Sequence, residues 1–133
     1  MIRHGITGYN EKSGKGCVRH VMGRVGDNGE VMAVIVTATE TCRRRTSAEE
    51  IQKALPEVVS LYHDVQNKKR NVILGPEIHH IWGRKTLTAS LCGIAFEVSP
   101  FSFFQVHKAQ AEVLYQKALD AADLKGGETV IDA

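Results

Sequence analysis

Val31-Met32-Ala33-Val34-Ile35-Val36-Thr37 is an almost unbroken apolar run, most of it β-branched. It has no polar face to turn to water, so it predicts a strand in the middle of a sheet, covered on both sides. The rest of the chain must supply that cover. Just before it, Gly26-Asp27-Asn28-Gly29 is a turn signal, because Asn and Gly tolerate positive φ. Cys17 to Val25 then predicts the hairpin partner of the central run.

The cover on the other side follows from the next stretches. Thr41 to Arg45 is polar and basic, so it reads as a loop. Ser47-Ala48-Glu49-Glu50 fits a capping box, and a helix should run to about Ala54, since Pro56 disfavours helical geometry at Leu55. Val58 to Val65 alternates Val59, Leu61, His63 and Val65 with Ser60, Tyr62 and Asp64. Helix and strand are both open there, and the alternation favours strand. Short apolar runs at Val72 to Leu74, Ile78 to Trp82, Thr86 to Leu91 and Ile94 to Val98 are separated by Gly75-Pro76, Gly83-Arg84-Lys85 and Gly93. Four such runs in succession predict an antiparallel meander. Residues 1–16 are rich in Gly, Lys and Asn without periodicity and read as a flexible or loop segment. The whole predicts an α+β domain over 17–105, a mostly antiparallel sheet with a packed helix.

Ser99-Pro100-Phe101-Ser102-Phe103-Phe104-Gln105-Val106-His107 joins the last of these strands to a helix. It carries three of the chain's four phenylalanines around one glutamine. Pro100 fixes its own φ and biases Ser99 towards extended geometry, so the joint is stiff. A stiff aromatic joint with one carboxamide suits a flat heterocycle, because the amide offers one acceptor and two donors. The plain alternative is that Phe101, Phe103 and Phe104 fill a core corner. The following helix places Leu114, Tyr115, Ala118 and Ala122 on one stripe, with His107 as its N-cap, Gln110 at its third position and Gly126 at its end.

Ser-Pro-x-Ser-Phe-Phe-Gln-Val, then Gln-Ala-Glu-x-Leu-Tyr, then Gly-Glu-Thr-Val-Ile-Asp-Ala resemble blocks of the S-adenosylmethionine-dependent RNA uracil-5-methyltransferases, in that family's order. The resemblance is strongest over 71–133 and closest to the bacterial large-subunit ribosomal RNA branch. It implies a substrate-facing central domain, with 106–133 as the first helix and strand of a truncated α/β methyltransferase domain. It implies S-adenosylmethionine as methyl donor and RNA, in particular ribosomal RNA, as partner. At the matching positions an aromatic and a glutamine lie beside the flipped target uracil and the donor. Phe103 is therefore expected to stack on the base, and Gln105 to pair with uracil's polar edge or with the amino acid end of the donor. Phe104 stays with the core. His107 stands where the family has asparagine, a better cap, and Asp132 stands where the first donor-binding strand ends. The family's nucleophilic cysteine and its base lie far downstream, so no catalytic residue is expected here. The final apolar strand would lack neighbours, which suggests a piece of a larger protein and a non-native dimer through that strand.

Bulk properties constrain the alternatives. Seventeen basic against fifteen acidic residues leave a net charge of +2, too small to argue nucleic-acid binding by itself. Arg43-Arg44-Arg45, Lys68-Lys69-Arg70 and Arg84-Lys85 read as solvated loops that could meet RNA phosphates if they share a face. Cys17, Cys42 and Cys92 are odd in number and unlike a zinc or iron–sulfur pair in spacing, and they read as reduced thiols in a cytoplasmic protein. His79 and His80 are neighbours on a strand and point to opposite faces, so no metal is expected. Trp82 reads as core. No apolar run is long enough to cross a bilayer as a helix. Two other readings remain: a self-contained, non-catalytic RNA-binding module, which needs the strand at Ile131 paired inside the domain, and a bare scaffold, which needs the aromatics buried.

Overall fold

The computed structural model describes residues 6–41, 48–68, 72–75 and 77–131. Eight elements follow in order: β1 (Val18–Val25), β2 (Val31–Thr37), α1 (Ala48–Ala54), β3 (Val58–Val65), β4 (Glu77–Gly83), β5 (Leu87–Leu91), β6 (Ile94–Val98) and α2 (Lys108–Ala122). β1 to β4 form one sheet in sequence order, and β5 pairs with β6 in a second. β2 and β3 run parallel, while the other pairs are antiparallel. The predicted α+β architecture with a mostly antiparallel sheet is what forms.

β2 takes the interior place its composition demands. It lies between β1 and β3, and Met32, Val34 and Val36 are 0% exposed. These three, with Tyr62 and Leu87, form the core cluster, flanked by Met22, Val59, Leu74 and Ile78. A parallel neighbour requires a crossover, and α1 lies in it and packs on β3. The alternation in 58–65 is a strand, buried along most of its length.

Two sequence expectations fail here. Val72 to Leu74 is not a strand. The Gln66 side-chain amide donates to the carbonyls of Val72 and Leu74, each at 3.4 Å, and the Asp64 carboxylate accepts from Gly75 N–H at 2.6 Å. Side chains hold this segment in place of a ladder. Gly75 is required, because a Cβ there would lie 2.5 Å from the Val65 carbonyl oxygen. Nor is there a continuous meander. At Gly83 (φ +80) the chain turns away after β4, and Tyr62 Oη donates to the Lys85 carbonyl at 2.7 Å. The hairpin β5–β6 is thereby laid over the sheet, with Leu87 in the sheet's core.

The two ends of the described chain are held differently. Residues 6–16 form a loop drawn back onto β1, with Tyr9 N–H donating to Val18 and Cys17 N–H to Thr7. Arg19 reinforces it, donating to Gln66 O and Lys68 O at 2.8 Å each and pairing with Glu11. Cys17 is disulfide-bonded rather than a thiol, while Cys92 is free and exposed. Spacing along the chain could not reveal that bond. The apolar segment before residue 132 is not a strand among the described residues, and Ile131 is 85% exposed. It has no partner edge to supply its backbone hydrogen bonds. α2 packs mainly on β5, not on the four-stranded sheet, and Ala111 is its buried residue. Leu114 and Tyr115, expected on a packed stripe, are exposed. Asp123 in the left-handed region caps α2, ahead of the predicted Gly126.

No helix of the described residues is long and apolar enough to cross a membrane.

Candidate functional site

The joint between β6 and α2 is stiff for more reasons than its proline. Ser99 and Ser102 close a turn on each other: Ser99 N–H donates to Ser102 Oγ at 3.0 Å, and Ser102 N–H to Ser99 Oγ at 3.2 Å. From β1, Arg24 Nη2 donates to the Pro100 carbonyl at 3.1 Å and to the Ser102 carbonyl at 2.6 Å. Burial draws the Arg24 pKa below its ordinary value. At the other end of the joint, His107 Nδ1 accepts from Gln110 N–H at 3.2 Å, so His107 caps α2 as predicted. Lys108 then bridges Asp27 in the β1–β2 turn and Ser90 on β5, at 2.9 Å each. Cys92 N–H, at the tip of the hairpin, donates to Glu112 on α2 at 3.1 Å.

This frame sets the aromatic side chains apart. Phe104 is half-buried and meets Phe96 edge to face, with centroids 6.0 Å apart. Phe103 is 87% exposed, and Phe101 is exposed too. Gln105 is half-buried, with Nε2 3.4 Å from Tyr115 Oη. A cleft of about 230 Å³ opens between β1, the hairpin and the joint, lined by Gly23, Arg24, Val25, Leu87, Ala89, Val98, Phe104, Gln105 and Val106. Its walls are mostly apolar, and the polar side chains in them are Arg24 and Gln105. Such a cleft suits a flat, partly apolar group with a polar edge.

The structure brings Gln105 and Phe104 to the cleft; Phe103 stands beside it with its ring in solvent. Arg24 escapes a sequence reading, because the joint it holds begins 76 residues later at Pro100. Arg84 of the third basic group is paired with Glu30 at 2.6 Å. Arg43, Arg44, Arg45, Lys69, Arg70, Cys42, Ser47 of the predicted capping box and Asp132 lie outside the described residues. Trp82 is half-buried. His79 lies 3.4 Å from Glu40, and His80 is 3.2 Å from the Arg84 carbonyl, consistent with opposite faces. Glu40, Glu77 and His79 have ligand-type atoms within 4.8 Å of one another. The adjacent histidines hid that grouping, whose sequence signal is the alternate spacing of Glu77 and His79.

No protein-family model matches the chain. Among curated proteins it is 43% identical over 131 residues to an uncharacterized RNA methyltransferase of Halalkalibacterium halodurans, covering 97% of this chain and 29% of that protein. It is 46% identical over 127 residues to one of Lactiplantibacillus plantarum, covering 94% of this chain and 28% of the relative. Among solved structures it is similar to the Pyrococcus abyssi tRNA (uracil-54, C5)-methyltransferase in complex with S-adenosyl-L-homocysteine, with a TM-score of 0.66 and 25% identity over 90% of this chain and 28% of that one. The chain thus spans about three-tenths of the length of the curated relatives it matches. At family level it is similar, along nearly all of its own length, to one segment of RNA methyltransferases, and its fold resembles a part of a uracil-C5 methyltransferase.

Proposed function

We propose that the chain is the substrate-facing segment of an RNA uracil-5-methyltransferase, one that transfers a methyl group from S-adenosylmethionine to carbon 5 of a uridine, in ribosomal RNA. The observation that carries this reading is a half-buried Gln105 in the wall of a cleft, with the exposed Phe103 two residues before it in the chain, in a chain similar to RNA methyltransferases. A base must leave its stack to be methylated, which costs on the order of a few kcal/mol. Stacking on Phe103 returns about 1–3 kcal/mol of that. Gln105 Nε2 faces Tyr115, which leaves the carboxamide oxygen to accept from uracil N3–H.

The methyl donor belongs to the longer protein. In this chain the cleft has no carboxylate among its lining residues to hold the donor's amino group or ribose hydroxyls, and Gln105 is the one amide that can face it. The described residues lining the cleft do not make a donor site. Covalent attack on uracil carbon 6 needs a cysteine thiolate. Among the described residues Cys17 is disulfide-bonded and Cys92 sits at the hairpin tip, and the family's nucleophile is expected far downstream of this segment. The chain by itself should therefore transfer no methyl group.

Two competing readings lose ground. A self-contained RNA-binding module needs the segment at Ile131 paired within the domain, and among the described residues that segment, up to Ile131, is not in a strand. A bare scaffold needs Phe103 buried, and it is in solvent.

The test is methyl transfer from labelled S-adenosylmethionine to uridine-containing RNA by the full-length protein. Phe103→Ala should lower kcat/KM about 5- to 150-fold, the equivalent of one lost stacking contact. Unchanged kcat/KM in that variant, or methyl transfer by the 133-residue chain alone, would reject the reading.

A further inference from the structure

We infer that Arg24 is the positioning residue of this site: from β1 it fixes the backbone of the joint and so holds Phe103 and Gln105 where a base would meet them. The inference rests on the proposed function and deepens it, by naming the group that sets its two contact residues.

The serine pair Ser99–Ser102 closes the turn upon itself, but those bonds do not tie it to the sheet. Arg24 does. One nitrogen, Nη2, serves two carbonyls that lie either side of Phe101, and the second belongs to the residue just before Phe103. A guanidinium suits that task, because it is planar, always charged and rich in donors. Hydrogen bonds from a charged donor are also stronger than neutral ones.

The rest of the side chain argues against simple stabilisation. Arg24 Nε is buried and has no hydrogen-bond partner. A buried, unpaired N–H is costly, and an apolar residue would fill the same space without that cost. Burial opposes the charged form, which again counts against a residue kept only for stability. Meanwhile Arg24 and Gln105 line the same cleft. The arrangement is that of a strut whose worth lies in where it sets the joint.

The test compares wild type, Arg24→Ala and Arg24→Lys in the 133-residue chain. Amide hydrogen exchange is followed at Ser102 and along β2 and β3, and binding of a single-stranded uridine oligoribonucleotide is followed by fluorescence anisotropy at low salt. Arg24→Ala should speed exchange at Ser102 by about tenfold or more, leave β2 and β3 as they were, and weaken the RNA by about tenfold. Arg24→Lys, which keeps one charged donor, should restore part of both. The inference is overturned if exchange at Ser102 is unchanged, if it rises only in step with β2 and β3, or if RNA affinity holds while the joint loosens. Should the wild-type chain bind uridine and abasic oligonucleotides alike, the base-contact reading of Phe103 and Gln105 fails. The exchange data and the lysine rescue then decide Arg24 by themselves.

Discussion

The β2–β3 pair and the α2 helix are both built from apolar-rich segments, yet their apolar side chains meet opposite fates. In β2 and β3, Met32, Val34, Val36 and Leu61 are at most 1% exposed. On α2, Val113, Leu114, Tyr115 and Leu119 are all exposed. Hydrophobicity is the same currency in both regions, and what differs is coverage. β2 has a strand on each side and a hairpin over one face, whereas α2 rests mainly on β5. Polar links, through Lys108 to Asp27 and Ser90 and through Glu112 to Cys92, tie α2 to the rest of the domain. The lesson is that one end of this chain is packed by volume and the other is located by a few directed bonds.

Truncation gives the largest expected contrast. Leu61→Ala should destabilise the chain by about 2–5 kcal/mol, since Leu61 is buried and its cavity cannot fully collapse. Leu114→Ala, at a site 61% exposed, should change stability by less than about 0.5 kcal/mol. Chemical denaturation of both variants measures the difference, and equal losses would break the comparison.

Acid–base behaviour gives a smaller contrast, with opposite signs in the two regions. Asp64 in β3 is 0% exposed, and burial pushes its pKa up, against the Gly75 N–H bond and His79, which act the other way. The folded state therefore keeps the Asp64 proton at pH values where the unfolded chain has lost it. Stability should fall as pH rises from the ordinary carboxylate range to the raised value, by at most about 1.4 kcal/mol per pH unit. Asp64→Asn should flatten that slope in denaturation curves taken across the window. A slope that survives in the variant would assign it elsewhere.

Asp27 behaves in the reverse sense and should show the smallest effect. Its hydrogen bonds with Lys108 and then Ser90 hold its pKa below the usual carboxylate value. The stabilisation is present above that usual value and fades as pH falls through the lowered one. Since the pair is partly solvated, added salt should weaken it too. Amide exchange at the start of α2, taken relative to the intrinsic rate at each pH, should thus quicken only below the ordinary carboxylate range and in high salt, with β2 and β3 unmoved. Faster exchange in β2 under the same conditions would mean that the two ends are not held by different means.

How much of this was legible follows the same division. The β2 run and the alternation in β3 announced strands because burial leaves a periodic trace in composition. The break at Gly93 and the His107 cap were equally local, and they formed where expected. The segment 72–74 misled, because its bonds come from Gln66 and Asp64, side chains with no local signature. The parallel pairing of β2 with β3, the placing of the hairpin over the sheet, and the Arg24 contact depend on groups far apart in the chain. For the candidate site, Phe103 and Gln105 could be named from a resemblance, but the cleft could not, since three separate segments wall it.

Leu87 has a double address, in the core beneath the hairpin and in the wall of the cleft above it. The floor of one compartment is the ceiling of the other, with a single leucine between them. A mutation that repacks the sheet interior will therefore be felt in the shape of the cleft, and any attempt to recut the cleft at that spot begins by dismantling the interior.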